Sequence, residues 1–163
     1  MAKWTNNPNL EKYVSKLEKL QDEGREMIGV AIHAGAGVVA DAVRSEIQAL
    51  PVAQDYVKPG EHRKLSTITS VQKKGLLDGF GIAKMRKDGD YYNVKLGFAG
   101  YNGQKTDQYK TGVPNSIVAR SVVSGTYFRD KNDFIGRATR RTKKEAEREM
   151  EKRFEEALEK FMW

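Results

Sequence analysis

The chain has 163 residues, a formal net charge of +7, two histidines and no cysteine. This length favours a single domain spanning residues 1–163 over two full domains. The lack of cysteine excludes disulfides, cysteine zinc sites and thiol nucleophiles, and it fits a reducing compartment.

The N-terminal sequence and the charge distribution bear on location and partners. The opening "MAKWTNNPNLEKYV" lacks the apolar core of a signal peptide, and no stretch approaches the roughly 20 apolar residues that span a bilayer. We therefore expect a soluble protein of the cytoplasm with no membrane partner. Residues 51–100 hold nine basic and five acidic side chains, a net charge of +4. Such an excess attracts anionic partners, but it is also a common source of solubility.

The first predicted element is a helix over residues 8–20. Leu10, Tyr13 and Leu17 follow a helical spacing with Lys and Glu between them. A short strand over residues 12–17 is the alternative at this length. Gly24 predicts a break or a kink after this helix.

The next stretch, "MIGVAIHAGAGVVADAVRSEI", contains a near match to the dinucleotide-binding turn G-x-G-x-x-[GA], formed by Gly35, Gly37 and Ala40. That turn requires a buried strand before its first glycine and a helix after it. The apolar spacing favours one helix instead, because intervals of three and four residues run straight through the glycines. Its members are Ile28, Ile32, Gly35, Val39, Val43, Ile47 and Leu50.

We therefore predict one helix over residues 28–50, ended by Pro51, and no bound cofactor. Asp55 has the position of a ribose-binding acid, but its surroundings have the composition of a loop. The small residues of the helix are expected to let another helix or a sheet pack closely. They are Gly29, Ala31, Ala34, Gly35, Ala36 and Gly37.

The middle of the chain changes from helical to strand periodicity. A long loop precedes a short helix predicted over residues 70–80. Asp88-Gly89 is a tight-turn dipeptide, and alternation over residues 92–98 predicts a strand paired antiparallel with residues 81–87. A loop rich in Gly, Asn and Lys follows over residues 100–113.

The C-terminal part contains two predicted helices. Pro114 begins the first and Gly125 ends it. The second is long and amphipathic and runs from about Arg137 to Phe161. The sequence thus predicts an α+β fold, a small antiparallel β-sheet flanked by a long N-terminal helix and a long amphipathic C-terminal helix. The stripe of the last helix consists of Ala138, Thr142, Ala146, Met150, Phe154, Ala157 and Phe161, with Leu158 beside it.

The start of the last helix carries an unfavourable charge order. Five basic residues and no acid lie between Arg137 and Lys144, although positive charge at a helix N-terminus opposes the helix dipole. Solvation explains any single residue, whereas the cluster favours an acidic partner surface or phosphate. Its members are Arg137, Arg140, Arg141, Lys143 and Lys144.

No pattern of catalytic or metal-binding residues accompanies these elements. His62 lies in a turn, where we expect a plain surface histidine, and His33 lies in the middle of a helix, where we expect a structural role. Motifs for nucleophilic, metal or phosphate chemistry do not occur in the sequence. We therefore expect no enzyme activity, no cofactor and no metal.

The succession of segments resembles the tailed-bacteriophage head-tail joining and tail completion proteins, which include tail terminators. The resemblance rests on "RSEIQALPV", "TSVQKKGLLDGFGIAKM", "YYNVKLGFAGYNG", "GVPNSIVARSVVSGTYF" and "DFIGRA", and it covers the chain from about Leu10 onward. Members of that family often have P-F-[IV]-R-P-A around the phenylalanine of the last segment. Asp133, Gly136 and Arg137 stand there in this chain.

The resemblance implies a structural role in the virion tail or neck, after synthesis in the host cytoplasm. Such proteins form a homo-oligomeric ring, sixfold by resemblance, that meets the tail tube protein and a head-side connector or stopper protein. Genomic DNA passes through the ring without sequence readout. The interface residues expected on this basis are Tyr127, Phe128, Phe134, Ile135, Arg137, Arg140, Arg141, Lys143 and Lys144.

The alternative function is a basic nucleic-acid-binding module. In that case the five cations between Arg137 and Lys144 would contact duplex phosphates, and binding would fall steeply with salt. The sequence lacks stacked aromatic residues and a recognition-helix pattern, which favours the assembly hypothesis.

Overall fold

The computed structural model describes residues 8–53, 68–89 and 91–162. The predicted α+β class, with antiparallel β-structure between long N-terminal and C-terminal helices, is confirmed. The predicted residues Asp55 and His62 lie outside the described ranges. In chain order the elements are α1 Pro8–Ala49, α2 Ser70–Gly79, β1 Phe80–Ile82, β2 Arg86–Asp88, β3 Tyr91–Asn93, β4 Leu96–Phe98, α3 Asn115–Ser124 and α4 Phe134–Met162.

α1 is a single helix of 42 residues. It passes through Gly35 and Gly37 without a preceding strand, so the dinucleotide-binding reading of these glycines is excluded by the backbone. The short strand over residues 12–17 does not form, and the predicted break at Gly24 is wrong. One interior glycine costs only about 1 kcal/mol, which the good helix formers around Gly24 offset.

α1 and α4 pack side by side in antiparallel directions. Glu46 of α1 meets Arg137 at the start of α4, and Met27 lines a groove with Phe161 near its end. Between these contacts, a Cβ on Gly35 would lie only 2.9 Å from the Met150 sulfur. Gly35 thus permits the close packing of α4 on α1 that we predicted from the small residues of α1.

The other glycines of α1 do not share this role. A Cβ on Gly29 would meet the Met85 side chain at 3.2 Å, whereas one on Gly37 would meet nothing within 4 Å. His33 is exposed, so the prediction of a structural histidine is wrong. At this position the helix turns the imidazole away from α4 and toward solvent.

The four strands form one hairpin with an irregularity in the middle. Phe80 pairs with Phe98, and Asp88 pairs with Tyr91, both antiparallel as predicted. Between the two ladders, residues 83–85 face residues 94–95, so the first arm holds one extra residue, as in a β-bulge. The predicted continuous strand over residues 92–98 is therefore divided in two. Gly89, with φ of +60°, lies in the predicted turn.

The core lies where the C-terminal half of α1 meets the other elements. The largest fully buried side chains are Phe134, Ile47, Ile68, Leu76 and Val43. The Phe98 ring links Phe80 and Phe134, with centroid distances of 5.0 Å and 6.4 Å. The hairpin is thereby fixed against the beginning of α4.

The ends of the shorter helices follow the sequence signals. Thr69 and Gln72 form a capping box at the start of α2. α3 begins after Pro114 and ends at Gly125, whose φ of +73° suits glycine. In the loop over residues 100–113, the Asn102 amide donates to the Val113 carbonyl at 3.0 Å. This bond brings the two ends of that loop together.

One stretch of the described residues, Glu23–Ala49, is long and apolar enough to cross a membrane by length and composition. Its best window has a mean hydropathy of 1.4, and a third of that window is buried inside the fold. The expectation that no stretch qualifies is therefore wrong. The small apolar residues raise the mean hydropathy of this stretch although glycines interrupt it. Core helices of soluble proteins reach the same length and hydropathy.

Candidate interaction surface

The turn before α4 presents an aromatic pair at the surface. Tyr127 is 86% exposed, and its ring meets Phe128 edge to face at a centroid distance of 5.0 Å. Backbone hydrogen bonds between Thr126 and Arg129 close the turn. Supported on one side and open on the other, the Tyr127 ring is placed to contact another molecule.

The aromatic turn is anchored by a buried arginine that sequence reasoning missed. Arg129 is 4% exposed. Its guanidinium donates to Gln72 Oε1 at 2.9 Å and to Ser121 Oγ, and it lies 5.7 Å from the Phe128 ring centroid. Burial lowers the pKa of Arg129. In the sequence "YFRDK" nothing distinguishes this arginine from a solvated one.

The next two predicted interface residues, Phe134 and Ile135, belong to the subunit's own interior. Phe134 is fully buried, and Ile135 is half-buried against the hydrophobic core. The prediction that Phe134 contacts a partner is corrected, because its ring fills the space beside Phe98. Phe134 thereby anchors the start of α4 in the core.

Arg137 and Arg141 converge on Glu46 of α1. Arg137 donates to Glu46 Oε2 at 2.9 Å and 3.2 Å, and Arg141 donates to Oε1 at 3.0 Å. The Glu46 side chain is 13% exposed, whereas the two arginines are 49% and 60% exposed. This carboxylate joins the C-terminal end of α1 to the first turns of α4.

A second carboxylate lies at the start of α4. α4 begins at Phe134, three residues before the predicted Arg137, and Asp133 is its N-cap, accepting from the Gly136 amide at 2.9 Å. That backbone hydrogen bond lowers the pKa of Asp133, and Arg140, 3.3 Å from the carboxylate, lowers it further. Asp133 also provides the negative charge that the helix dipole favours.

Glu46 and Asp133 explain the charge order that the sequence left unexplained. Three of the five cations lie beside these two carboxylates. Lys143 lies 4.0 Å from Glu147, and Lys144 is exposed with no ion pair to any described residue. The start of α4 is therefore a surface of mixed charge.

The cations of the hairpin differ from the arginines of α4 because they have no carboxylate partner among the described residues. Lys84, Arg86 and Lys95 are exposed, and none forms an ion pair within the described ranges. Lys87 lies 5.7 Å from the Tyr92 ring centroid, and Tyr91 is 79% exposed. The positive charge of the middle of the chain is thus presented to solvent beside aromatic rings.

At the far end of the two long helices lies an open groove with a volume of about 360 Å³. Met27 and Val30 of α1 and Ala157 and Phe161 of α4 contribute its apolar part. Within the described ranges, no group of three or more His, Asp or Glu side chains is placed to hold a metal ion. The molecule thus offers contact surfaces, with an apolar groove at one end and an aromatic turn at the other.

Sequence reasoning found the cations but not their partners. Arg137 and Glu46 are 91 positions apart, so no local spacing indicates their contact. Asp133 could have been found, since an aspartate three residues before Gly136 is an ordinary N-cap signal. Comparisons with protein-family models, curated proteins and solved structures find no match for this chain.

Proposed function

We propose that this protein is a structural subunit of a tailed-bacteriophage virion. It assembles into a homo-oligomeric ring, sixfold by resemblance, that completes the tail and joins it to the head. One face of the ring meets the tail tube protein, and the other meets a head-side connector or stopper protein. DNA passes through the ring without sequence readout.

The observation that carries this proposal is the exposure of large apolar side chains at both ends of the subunit. Tyr127 is 86% exposed at one end, and Leu17 is 62% exposed at the other. A ring subunit needs two different surfaces that fit each other, because its contacts run head to tail. Further support comes from the order of segments that resembles the tail completion proteins.

Deletion of the gene from the virus that encodes it tests the function directly. We expect electron micrographs with separate heads and tails, and recovery of joined, infectious particles when the wild-type protein is supplied in trans. Joined particles without the protein would contradict the proposal. A matched pair of complementing variants sharpens the test, since Tyr127→Ala should complement poorly and Lys105→Ala, at an exposed loop residue, should complement fully.

A second candidate is nucleic-acid binding through phosphate contacts. It is favoured by the exposed cations of the hairpin and by Lys144, which form no ion pair with a described residue. Duplex DNA titrated at rising salt tests it, because neutralised phosphates release counterions. A steep loss of affinity with salt supports this function, and no binding at low salt contradicts it. Arg137 and Arg141 are the less suitable contacts, since both are bound to Glu46.

A further inference from the structure

α1 is longer than the helix it packs on. Lys160 and Phe161, in the last turn of α4, line the same groove as Glu23 and Glu26 of α1. Residues 8–22 of α1, here called the overhang, therefore extend beyond α4 by about 22 Å at 1.5 Å per residue. An isolated helix of this length is marginal in water, so the overhang gains stability from any surface that covers it.

The overhang has a basic side and exposed apolar residues. Lys12, Lys16 and Lys19 follow at intervals of four and three, which places them on one helical face. All three are exposed, and none forms an ion pair with a described residue. We call them the lysine ridge. Val14 and Leu17, 47% and 62% exposed, lie on the opposite side of the same segment.

α4 carries the opposite arrangement near its C-terminus. Glu151, Glu155 and Glu159 follow at intervals of four, are exposed and form no ion pair with a described residue. We call them the acidic ridge. Like charges at this spacing repel one another, so the ridge weakens the isolated helix. Phe154 and Met162, 38% and 45% exposed, lie beside it.

The two ridges do not meet within one molecule. Because α4 runs antiparallel to α1 and ends beside residues 23–27, the lysine ridge lies beyond its C-terminal end. The ridges nevertheless match in length. Lys12 and Lys19 are about 10 Å apart along the helix axis, and Glu151 and Glu159 are about 12 Å apart. The two ridges carry opposite charge.

We propose that the overhang of one subunit docks on the acidic ridge of a second copy of this chain. Lys12, Lys16 and Lys19 face Glu151, Glu155 and Glu159 of that copy. This inference rests on the proposed ring and names one of its interfaces. The contact joins two different surfaces, so the first subunit keeps a free ridge and the second a free overhang, and further copies can add.

Charge reversal tests this contact in the purified full chain. The first variant is Lys12→Glu, Lys16→Glu, Lys19→Glu, and the second is Glu151→Lys, Glu155→Lys, Glu159→Lys. Sedimentation velocity over a concentration series measures the mass of the wild type, of each variant, of their mixture and of the six-residue swap. The control Lys84→Glu, Lys87→Glu, Lys95→Glu has the same net charge as the first variant but changes the hairpin.

We expect each reversal to weaken self-association by about tenfold or more, because attractive pairs become repulsive. The equimolar mixture and the six-residue swap should both recover association, since opposite charges then meet again. The hairpin control should behave as the wild type does. Circular dichroism should give the wild-type helix content for all variants, because both ridges are exposed.

The outcomes separate this inference from the proposed function. Wild-type oligomers that are unaffected by either reversal would overturn the contact and leave the ring in place. A dimer that responds to both reversals and recovers in the mixture would support the contact and contradict the ring. A wild type that stays monomeric at every concentration would overturn the contact, whereas the gene deletion decides the proposed function.

Discussion

The two ends of the α1–α4 pair differ in what covers them. At the end we call the body, residues 36–49 of α1 and the first turns of α4 are enclosed by α2, α3 and the hairpin, and Ile47 and Phe134 are fully buried. At the end we call the stalk, residues 8–35 and 146–162, the same helices contact each other and, at Gly29, the Met85 side chain of the hairpin. Leu17 and Phe154 remain exposed there.

The difference indicates that the two ends of the same helices have different roles. The body buries its apolar residues and holds its charges in place with Glu46 and Asp133. The stalk exposes apolar residues, and it exposes lysines and glutamates that form no ion pair with any residue in the described ranges. The body therefore contains the buried core, and the stalk contains the surfaces that the proposed contact between copies would cover.

The largest expected effect compares one phenylalanine from each end. Phe134→Ala should lower the free energy of unfolding by about 3–5 kcal/mol, because it empties a fully buried position beside Phe98. Phe154→Ala, at a 38% exposed position of the stalk, should cost about 1 kcal/mol or less. Urea titrations of the two variants measure both values. Equal losses would contradict the distinction between body and stalk.

The next effect compares two glycines of α1. Gly35→Val should lower the free energy of unfolding by about 2 kcal/mol, because its side chain would push against Met150 and the Ala146 carbonyl. Gly37→Val should stay within about 0.5 kcal/mol of the wild type, since a Cβ there meets nothing within 4 Å. The same urea titration applies. A Gly35 variant as stable as the Gly37 variant would mean that the helices are not in close contact.

A smaller effect concerns the carboxylate that joins α1 to α4. Glu46→Ala removes three hydrogen bonds from Arg137 and Arg141. The arginines are half exposed, so the cost should be about 1 kcal/mol. Asp41→Ala, at the 81% exposed partner of Arg44, is the control and should be nearly neutral. If thermal unfolding at low salt gives equal midpoints for both variants, Glu46 does not hold the helices together.

The smallest effect is the response of the body to acid. The pKa of Asp133 is lower in the folded chain than in the unfolded chain. Its contribution is therefore present above the unfolded value of about 3.9 and is lost as the pH falls through the folded pKa. Asp133→Asn keeps an N-cap oxygen without the titration, so its melting temperature should fall less over that window. If the melting temperatures of the wild type and of Asp133→Asn fall equally as the pH decreases, this role of Asp133 is contradicted.

The sequence contained the signals for most helix and turn positions. The stripe through Val43 and Ile47 indicated a helix that the glycines do not interrupt, and Asp88-Gly89 indicated the hairpin turn. These signals are local, because each depends on residues within a few positions of one another. The bulge between residues 83–85 and 94–95 was missed, since an inserted residue leaves the alternation within each arm intact.

The candidate surface was predictable only in part. The aromatic turn at Tyr127 and the cations from Arg137 onward could be found in the sequence. The burial of Phe134 and the pairing of Arg137 with Glu46 could not, because both depend on which face of α1 lies against α4. An aromatic ring in a charged connector looks the same in sequence whether it points into the core or into solvent.

The sequence by itself determined the class of fold, the two long helices and the excess of positive charge, since spacing and composition are properties of the chain alone. Only the tertiary structure decided which of those charges are neutralised and which apolar residues stay exposed. The physical reason is that neutralisation and burial require two segments at contact distance. The chain brings such segments together from positions as far apart as Glu46 and Arg137.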